Sequence, residues 1–468
     1  MMRLMPENSL FRNTLKMSSS NVLMYFVPVV VTPILTRMYA KEAFGEWGVF
    51  SSVIAILGVG MFWGYENAIV KARDNRDAWH TGILCLITSS TTILLTALIF
   101  VAGSTAGLSF FQSFPAKGML FAYLFVYALY ITLYNFCNRQ EKYDTLAISH
   151  IVLGGSQAVL RIVFGLMALV AVNGLILGTT LAQFLNVLFI FFCLYEYLKL
   201  SGRESISRQR LKEIFLQNSR FPLFDAPASV LAFAAFQSPT LILSQYFSKA
   251  DIGCFSIVIQ LLLLPMSFIG TAMGKVYYQQ LCRAQGDTTT IREVSQKVVT
   301  TVCIISILPL LFLAAGGDYV LVKFLGDKWA TAGNVALCLA LWSFPTVLSQ
   351  PLIPLYRTMD RQKNLLVFNA FYFIGGVGAI TLGCLTTGNL CLILLTFSLA
   401  TAVCKFCMFS NLLRLCGLRL RNLNRYVLCL WAASLALLAF RLAGILSATG
   451  LVSRTAICLE LFEPTTVS

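Results

Sequence analysis

His150, Gly154, Gln157, Arg161 and Gly165 follow one another at spacings of 4, 3, 4 and 4 residues. That periodicity gathers them on one face of a helix whose other positions are mostly Leu, Val and Ile. Arginine is suited to bidentate binding of phosphate oxygens, and amides such as Gln157 can bind sugar hydroxyls. A second polar stripe runs through Asn21, Tyr25, Pro28, Thr32 and Thr36, and a third through Asp225, Ser229 and Ala232. Tyr65, Glu66 and Asn67 close another apolar run. Ionisable groups inside apolar runs are expensive and usually face a cavity or a partner. Arg161 therefore either lines a solvated cavity or pairs with Glu66 or Asp225 as a structural bridge. Lys405 either serves the same cavity or snorkels to the membrane surface. Glu66 and Asp225 are the candidates for ion coupling. Small polar stripes also serve helix packing, so the first-run stripe carries either reading.

The residues needed for catalysis are not gathered anywhere. There is no pair of carboxylates, no metal-ligand cluster and no nucleophile beside a base. The segment 104–117, the longest loop on its side, has no Asp, Glu or His. A membrane glycan polymerase or ligase is thereby disfavoured, and neither a cofactor nor a metal is expected. Cys404 and Cys407 form one Cys-x-x-Cys with no second pair and no histidine nearby, so most of the 14 cysteines read as small hydrophobes.

These residues must be positioned by membrane helices. The 468-residue chain is 58% hydrophobic and only 12% charged, against about a quarter charged in soluble proteins. Continuous apolar runs near 20–38, 47–69, 82–103, 118–137, 150–172, 174–197, 222–246, 253–275, 298–320, 333–356, 365–386, 389–412 and 426–446 are long enough to cross a bilayer as helices. The first run is read as a retained span, not a cleaved signal peptide. The net charge of +15 is a topology signal. With the N-terminus in the cytoplasm, every internal cytoplasmic loop is richer in Lys and Arg than its outside neighbours. Outside loops through the twelfth span hold only Arg37, Lys41, Lys117, Lys249, Lys323 and Lys328. The basic charge is thus a membrane feature and not a nucleic-acid footprint.

The chain also repeats itself. Residues 34–47 (ILTRMYAKEAFGEW) and 242–255 (ILSQYFSKADIGCF) align without a gap at an offset of 208. Ile34/Ile242, Leu35/Leu243, Lys41/Lys249 and Gly45/Gly253 are identical. Arg139-Gln140 and Arg361-Gln362 open equivalent loops. The expected fold is an all-α polytopic membrane protein of two six-helix lobes in a parallel pseudo-twofold repeat, with about one extra C-terminal span. Residues 1–198 form the first lobe, 199–220 a basic cytoplasmic linker and 221–414 the second lobe. Residues 415–468 carry the extra span near 426–446 and a tail. Two lobes around a ligand site suit alternating access. Arg37 differs from its repeat mate Gln245, which favours a functional part for it.

The segments ILTRMYAKEAFGEWGVFSSV, GYENAIVKA, NRQEKYDTLAISHI and SKADIGCFSIVIQLLLLPMSFIGTAMGKVYYQQL resemble the polysaccharide flippases of the multidrug/oligosaccharidyl-lipid/polysaccharide exporter superfamily, the O-antigen (Wzx-type) group above all. The resemblance covers about residues 10–415. It implies a two-lobe transporter in the bacterial inner membrane. Such a protein moves undecaprenyl-pyrophosphate-linked oligosaccharide to the periplasmic leaflet, possesses no catalytic residues, and works among membrane lipid and glycan-assembly proteins. A cation-lined cavity would receive the pyrophosphate, with Arg161 and Arg37 at positions where family members often carry arginine. Family members have 12 or 14 spans, whereas this chain shows thirteen. A multidrug exporter of the same superfamily is the alternative. It would favour an acidic cavity, and the deep charges here include Arg161 and Lys405.

Overall fold

The computed structural model describes residues 27–72, 74–167, 173–201, 206–219, 221–284, 287–359, 361–418 and 425–448. Asn21, Tyr25, the end of the fifth expected span (168–172) and the tail from 449 lie outside the described residues, as does the side chain of Asp225. Among the described residues every regular element is helical, as expected where backbone groups in lipid must bond within their own segment. The helices are α1 (Val27–Met38), α2 (Lys41–Gly60), α3 (Glu66–Lys71), α4 (Asn75–Thr105), α5 (Ser109–Ser113), α6 (Lys117–Arg139), α7 (Tyr143–Leu166), α8 (Gly174–Ser201) and α9 (Arg208–Gln217). They continue as α10 (Ala226–Leu243), α11 (Lys249–Arg283), α12 (Thr288–Phe312), α13 (Asp318–Leu325), α14 (Ala330–Ser349), α15 (Pro354–Thr358), α16 (Gln362–Thr386), α17 (Leu390–Leu415) and α18 (Arg425–Ala448). Among the described residues, ten helical segments are long and apolar enough to cross a membrane, and Val27–Met38 and Ser229–Leu243 are shorter apolar helices. The chain is an all-α polytopic membrane protein.

Three differences from the expected spans matter for the site. The second span is broken. α2 stops at Gly60, Trp63 and Gly64 adopt left-handed φ values of 54° and 82°, and the helix restarts at Glu66. A side chain at Gly64 would be strained and would also crowd Phe221. Glu66 consequently begins a short helix, where the backbone amides favour a carboxylate. The fifth span is shifted: α7 ends at Leu166, so Arg161 sits near its end and not midway along it. The basic segment 199–220 contains a docked helix. Ser207 caps α9, and Arg210 grips both carboxylate oxygens of Asp77 on α4 at 2.8 Å. The main-chain N–H of Ser207 donates to His80 Nε2 at 3.2 Å.

Basic residues that mark topology also fasten helices. Arg139 donates to the carbonyl of Ala72 at 2.6 Å, just past α3, and Lys142 to that of Cys193 at 2.9 Å. The Ala72 carbonyl lies at a helix end and would otherwise lack a partner, whereas Cys193 lies within α8, so Lys142 ties the start of α7 to the side of α8. Asp287 caps α12, accepting from the hydroxyls and amides of Thr289 and Thr290. Those donors hold its carboxyl down at about 2, Thr290 foremost.

Contacts divide the chain into Met1–Leu264 and Pro265–Ser468, and the boundary falls inside α11. In the first unit α2 packs on the start of α11 through a reciprocal contact. A Cβ on Gly45 would run into the Lys249 carbonyl, and a Cβ on Gly253 into the Lys41 carbonyl. These are the residues matched at the 208-residue offset, so the two similar segments meet as an isologous pair does. Lys249 also binds Glu46 at 2.8 Å.

The second unit is built around α14, 16 of whose 20 residues are buried. The Trp342 main-chain N–H donates to Ser398 of α17 at 2.7 Å, and its indole to Tyr372 of α16 at 2.9 Å. α18 is fastened to this unit at two points. Trp431 donates to the Cys303 carbonyl at 3.2 Å and sets its edge on Phe344. Arg441 forks onto Asp318 at 2.6 and 2.9 Å and reaches the Leu313 carbonyl at 3.1 Å, where a π-turn (Leu313–Gly317) loosens the helix. Removing one partner of a largely buried pair leaves a stranded charge at a cost of about 3–5 kcal/mol, whereas replacing both with apolar groups is often neutral. Arg441→Ala should therefore lower the thermal midpoint of the purified protein clearly, and Arg441→Met with Asp318→Leu should restore most of it. Equal midpoints for wild type and Arg441→Ala would show that the pair does not hold α18.

Candidate functional site

Arg161 is the focus of the first unit's interior, with 8% of its surface exposed. Each neighbouring helix has a residue that allows it there. α2 presents Trp47, whose ring centroid lies 4.9 Å from the guanidinium carbon. Such a stack is worth about 2 kcal/mol when desolvated. α8 presents Thr179, whose hydroxyl accepts from Nη2 at 2.8 Å and donates its own proton to the Leu175 carbonyl at 2.7 Å. Gly178 lets α8 approach, since a Cβ there would stand 2.9 Å from Arg161 Cγ. Just past α1, Tyr39 donates to the Arg161 carbonyl at 2.7 Å.

The guanidinium is held but not satisfied. Its Nε is buried and has no hydrogen-bond partner among the described residues. An unmade bond of this kind costs about 1–3 kcal/mol. Beside it lies a narrow cavity of about 10 Å³ of water-accessible space, room for a single water. Pro28, Thr32, Trp47, Gly154, Gln157, Arg161 and Gln260 are among its walls. The site thus offers a fixed cation, two primary amides and a hydroxyl. That donor set suits an anion or a polyhydroxylated group, and it contains no group that would act as a base.

The sequence-identified residues are distributed unevenly. Arg161 and Gln157 share the cavity. Gly154 lines it as well, but the space beside Gly165 is filled by Met38 and Tyr39. Arg37 is exposed and folds back to donate to the Pro33 carbonyl at 2.8 Å, away from the cavity. Glu66 accepts from Asn67 at 3.3 Å. Among the described residues Arg161 contacts a hydroxyl and an indole, not a carboxylate. Asp225 ends the π-turn Phe221–Asp225, and its side chain is outside the described residues. In the second unit, Lys405 of α17 is 8% exposed, with Nζ 4.5 Å from the centroid of Tyr372. Each unit so contains one buried cation seated on an aromatic face. Sequence reasoning missed Trp47, Thr179 and Gln260, because nothing local links them to Arg161; only the packing of α2, α8 and α11 does.

The chain matches the family described as "Polysaccharide biosynthesis protein" over residues 34–334. It is 22% identical over 364 residues to the succinoglycan biosynthesis transport protein ExoT of Rhizobium meliloti, which covers 76% of this chain and 70% of that protein. Among solved structures it resembles an inward-facing multidrug resistance MATE family transporter of the MOP superfamily. The TM-score is 0.66 at 18% identity, over 85% of this chain and 95% of that one. It also resembles a MOP superfamily transporter from Pyrococcus furiosus, reported with reversed polarity of its binding pocket. There the TM-score is 0.56 at 17% identity, over 86% and 95% of the two chains. The structural likenesses give the fold, that of MOP superfamily transporters. The match over 34–334 bears out the resemblance read from the sequence: the chain belongs to the polysaccharide biosynthesis protein family.

Proposed function

We propose that this protein is a flippase that carries an oligosaccharide linked to undecaprenyl pyrophosphate from the cytoplasmic to the periplasmic leaflet of a bacterial inner membrane. It works by alternating access of two six-helix lobes, 1–198 and 221–414, joined by 199–220, and it catalyses no covalent chemistry. The observation that carries this reading is Arg161, nine-tenths buried, stacked on Trp47 and with Nε unengaged. A pyrophosphate crossing a low-dielectric interior needs fixed positive charge and donors, or it meets a large desolvation barrier. Gln157, Gln260 and Thr32 supply further polar groups at the same cavity. Lys405 is a second buried cation, Arg37 an exposed one for the head group, and Glu66 and Asp225 are the ion-coupling candidates. The lipid tail stays in the bilayer and needs no pocket. The name of the Rhizobium relative, a succinoglycan transport protein, supports a glycan cargo.

Complementation of a strain lacking its own flippase tests the reading. Wild type should restore surface glycan. Arg161→Ala should reduce export roughly tenfold to a hundredfold at normal abundance, the range of one or two charge-assisted hydrogen bonds. Arg161→Lys should keep part of the activity, because the charge survives and the planar fork does not. Full surface glycan in well-expressed Arg161→Ala cells would contradict the assignment.

The positive-inside distribution supports a cytoplasmic N-terminus and a cytoplasmic α9. A cysteine placed at the exposed Lys212, in a background without the native cysteines, should react with an impermeant thiol reagent only after the cells are opened. Labelling in intact spheroplasts would reverse the orientation.

A further inference from the structure

Four tyrosines of α6, Tyr123, Tyr127, Tyr130 and Tyr134, recur at spacings of 4, 3 and 4 residues, which places them along one face. They form a ladder. Successive ring centroids are 5.8, 6.0 and 5.7 Å apart. The ladder continues at one end to the edge of Phe50 on α2, at 6.1 Å, and at the other to a stacked His150 on α7, at 6.0 Å. At 1.5 Å per residue the row from Tyr123 to Tyr134 covers about 16 Å, roughly half the hydrocarbon thickness. Phe50, which meets Tyr123, is one turn of α2 from Trp47, on which Arg161 stacks, so the Tyr123 end of the row is the end toward Arg161.

Ring packing alone does not call for tyrosine, since phenylalanine stacks equally well and brings no hydroxyl to satisfy. A buried tyrosine usually finds a partner for that hydroxyl. Here none of the four hydroxyls bonds to a described residue, yet none is sealed off. Tyr197 shows the contrast: its hydroxyl is both sealed and unbonded. Tyr123 and Tyr130 are only 9% and 8% exposed, so the surface they keep is narrow. Tyr123 and Tyr127 stack face to face, and Tyr130 and Tyr134 lean on the row at 40° and 53°, so each ring is held by a neighbour while its hydroxyl is left to meet a ligand. Gly58 of α2 permits this row, because a Cβ there would crowd Tyr127 at 2.9 Å.

We propose that this row of phenol hydroxyls is the track that binds the glycan, with Arg161 holding the pyrophosphate beside its Tyr123 end. The proposal rests on the flippase reading above and adds where the sugars bind. A phenol both donates and accepts, so it can meet a sugar hydroxyl in either role. Rings already fixed by their neighbours lose little entropy when they bind.

The test uses the full-length protein in cells that supply two substrates, a lipid carrying the complete repeat unit or, in a glycosyltransferase mutant, the same lipid with its first sugar only. Tyr127→Phe with Tyr130→Phe keeps the rings and removes two hydroxyls. Export of the complete unit should fall roughly fourfold to a hundredfold, two hydrogen bonds' worth. Export of the one-sugar lipid should fall less, and the melting temperature of the purified variant should match wild type. Unchanged export of the complete unit, an equal fall for both substrates, or a fall that accompanies a lowered melting temperature would overturn the track. Arg161→Ala, in contrast, should impair both substrates alike. Wild-type protein that moves neither lipid would overturn the flippase reading itself, and the track with it.

Discussion

A guanidinium taken out of water must be given partners, and the first unit is arranged around doing this incompletely for Arg161. Trp47 stacks on its face, Thr179 takes one Nη, and Tyr39 ties its carbonyl to the end of α1. These contacts fix where α2, α7 and α8 lie relative to one another. Gly178 is required because α8 passes within van der Waals distance of the arginine stem. What stays unmet is Nε, and that deficit lies next to a polar cavity. A fully satisfied arginine would make the unit more stable and leave nothing to recognise an anion.

The other arginines illustrate the difference. Arg210 gives its fork to Asp77, and Arg441 gives its fork to Asp318. Arg139 also leaves a buried Nε unpaired, but its Nη1 caps the Ala72 carbonyl and so ties α6 to the end of α3. These three hold helices in place. Lys405 in the second unit follows the pattern of Arg161, with an aromatic face as its support. Aromatic rings carry out two tasks in this protein. They seat cations where carboxylates would cancel the charge, and on α6 they stiffen one another into a row of hydroxyls.

Much of this was legible in the sequence. Continuous apolar runs gave the helices, and the 4-3-4 spacing brought Gln157 and Arg161 to one cavity. The break at Gly64 was hidden because a single glycine in an apolar run looks like ordinary membrane helix, and only the opposed Phe221 gives it a reason. The end of α7 at Leu166 was hidden for a similar cause: Met, Ala, Leu and Val continue beyond it, so hydropathy does not change. The role of Arg441 was hidden because its partner, Asp318, is over a hundred residues away. The tyrosines of α6 display the same 4-3-4 spacing as the Arg161 face. Tyrosine in a membrane helix ordinarily reads as an interface anchor, and its unbonded hydroxyls are visible only in three dimensions.

The central claim is that Arg161 is kept short of partners so that it can hold a pyrophosphate. It is tested most directly by binding to the purified protein. Undecaprenyl pyrophosphate should raise the thermal midpoint of wild type well above the shift given by undecaprenyl monophosphate at equal concentration, and Arg161→Ala should abolish that difference. Equal stabilisation by the two lipids in wild type, or an undiminished preference for the pyrophosphate in Arg161→Ala, would contradict the account.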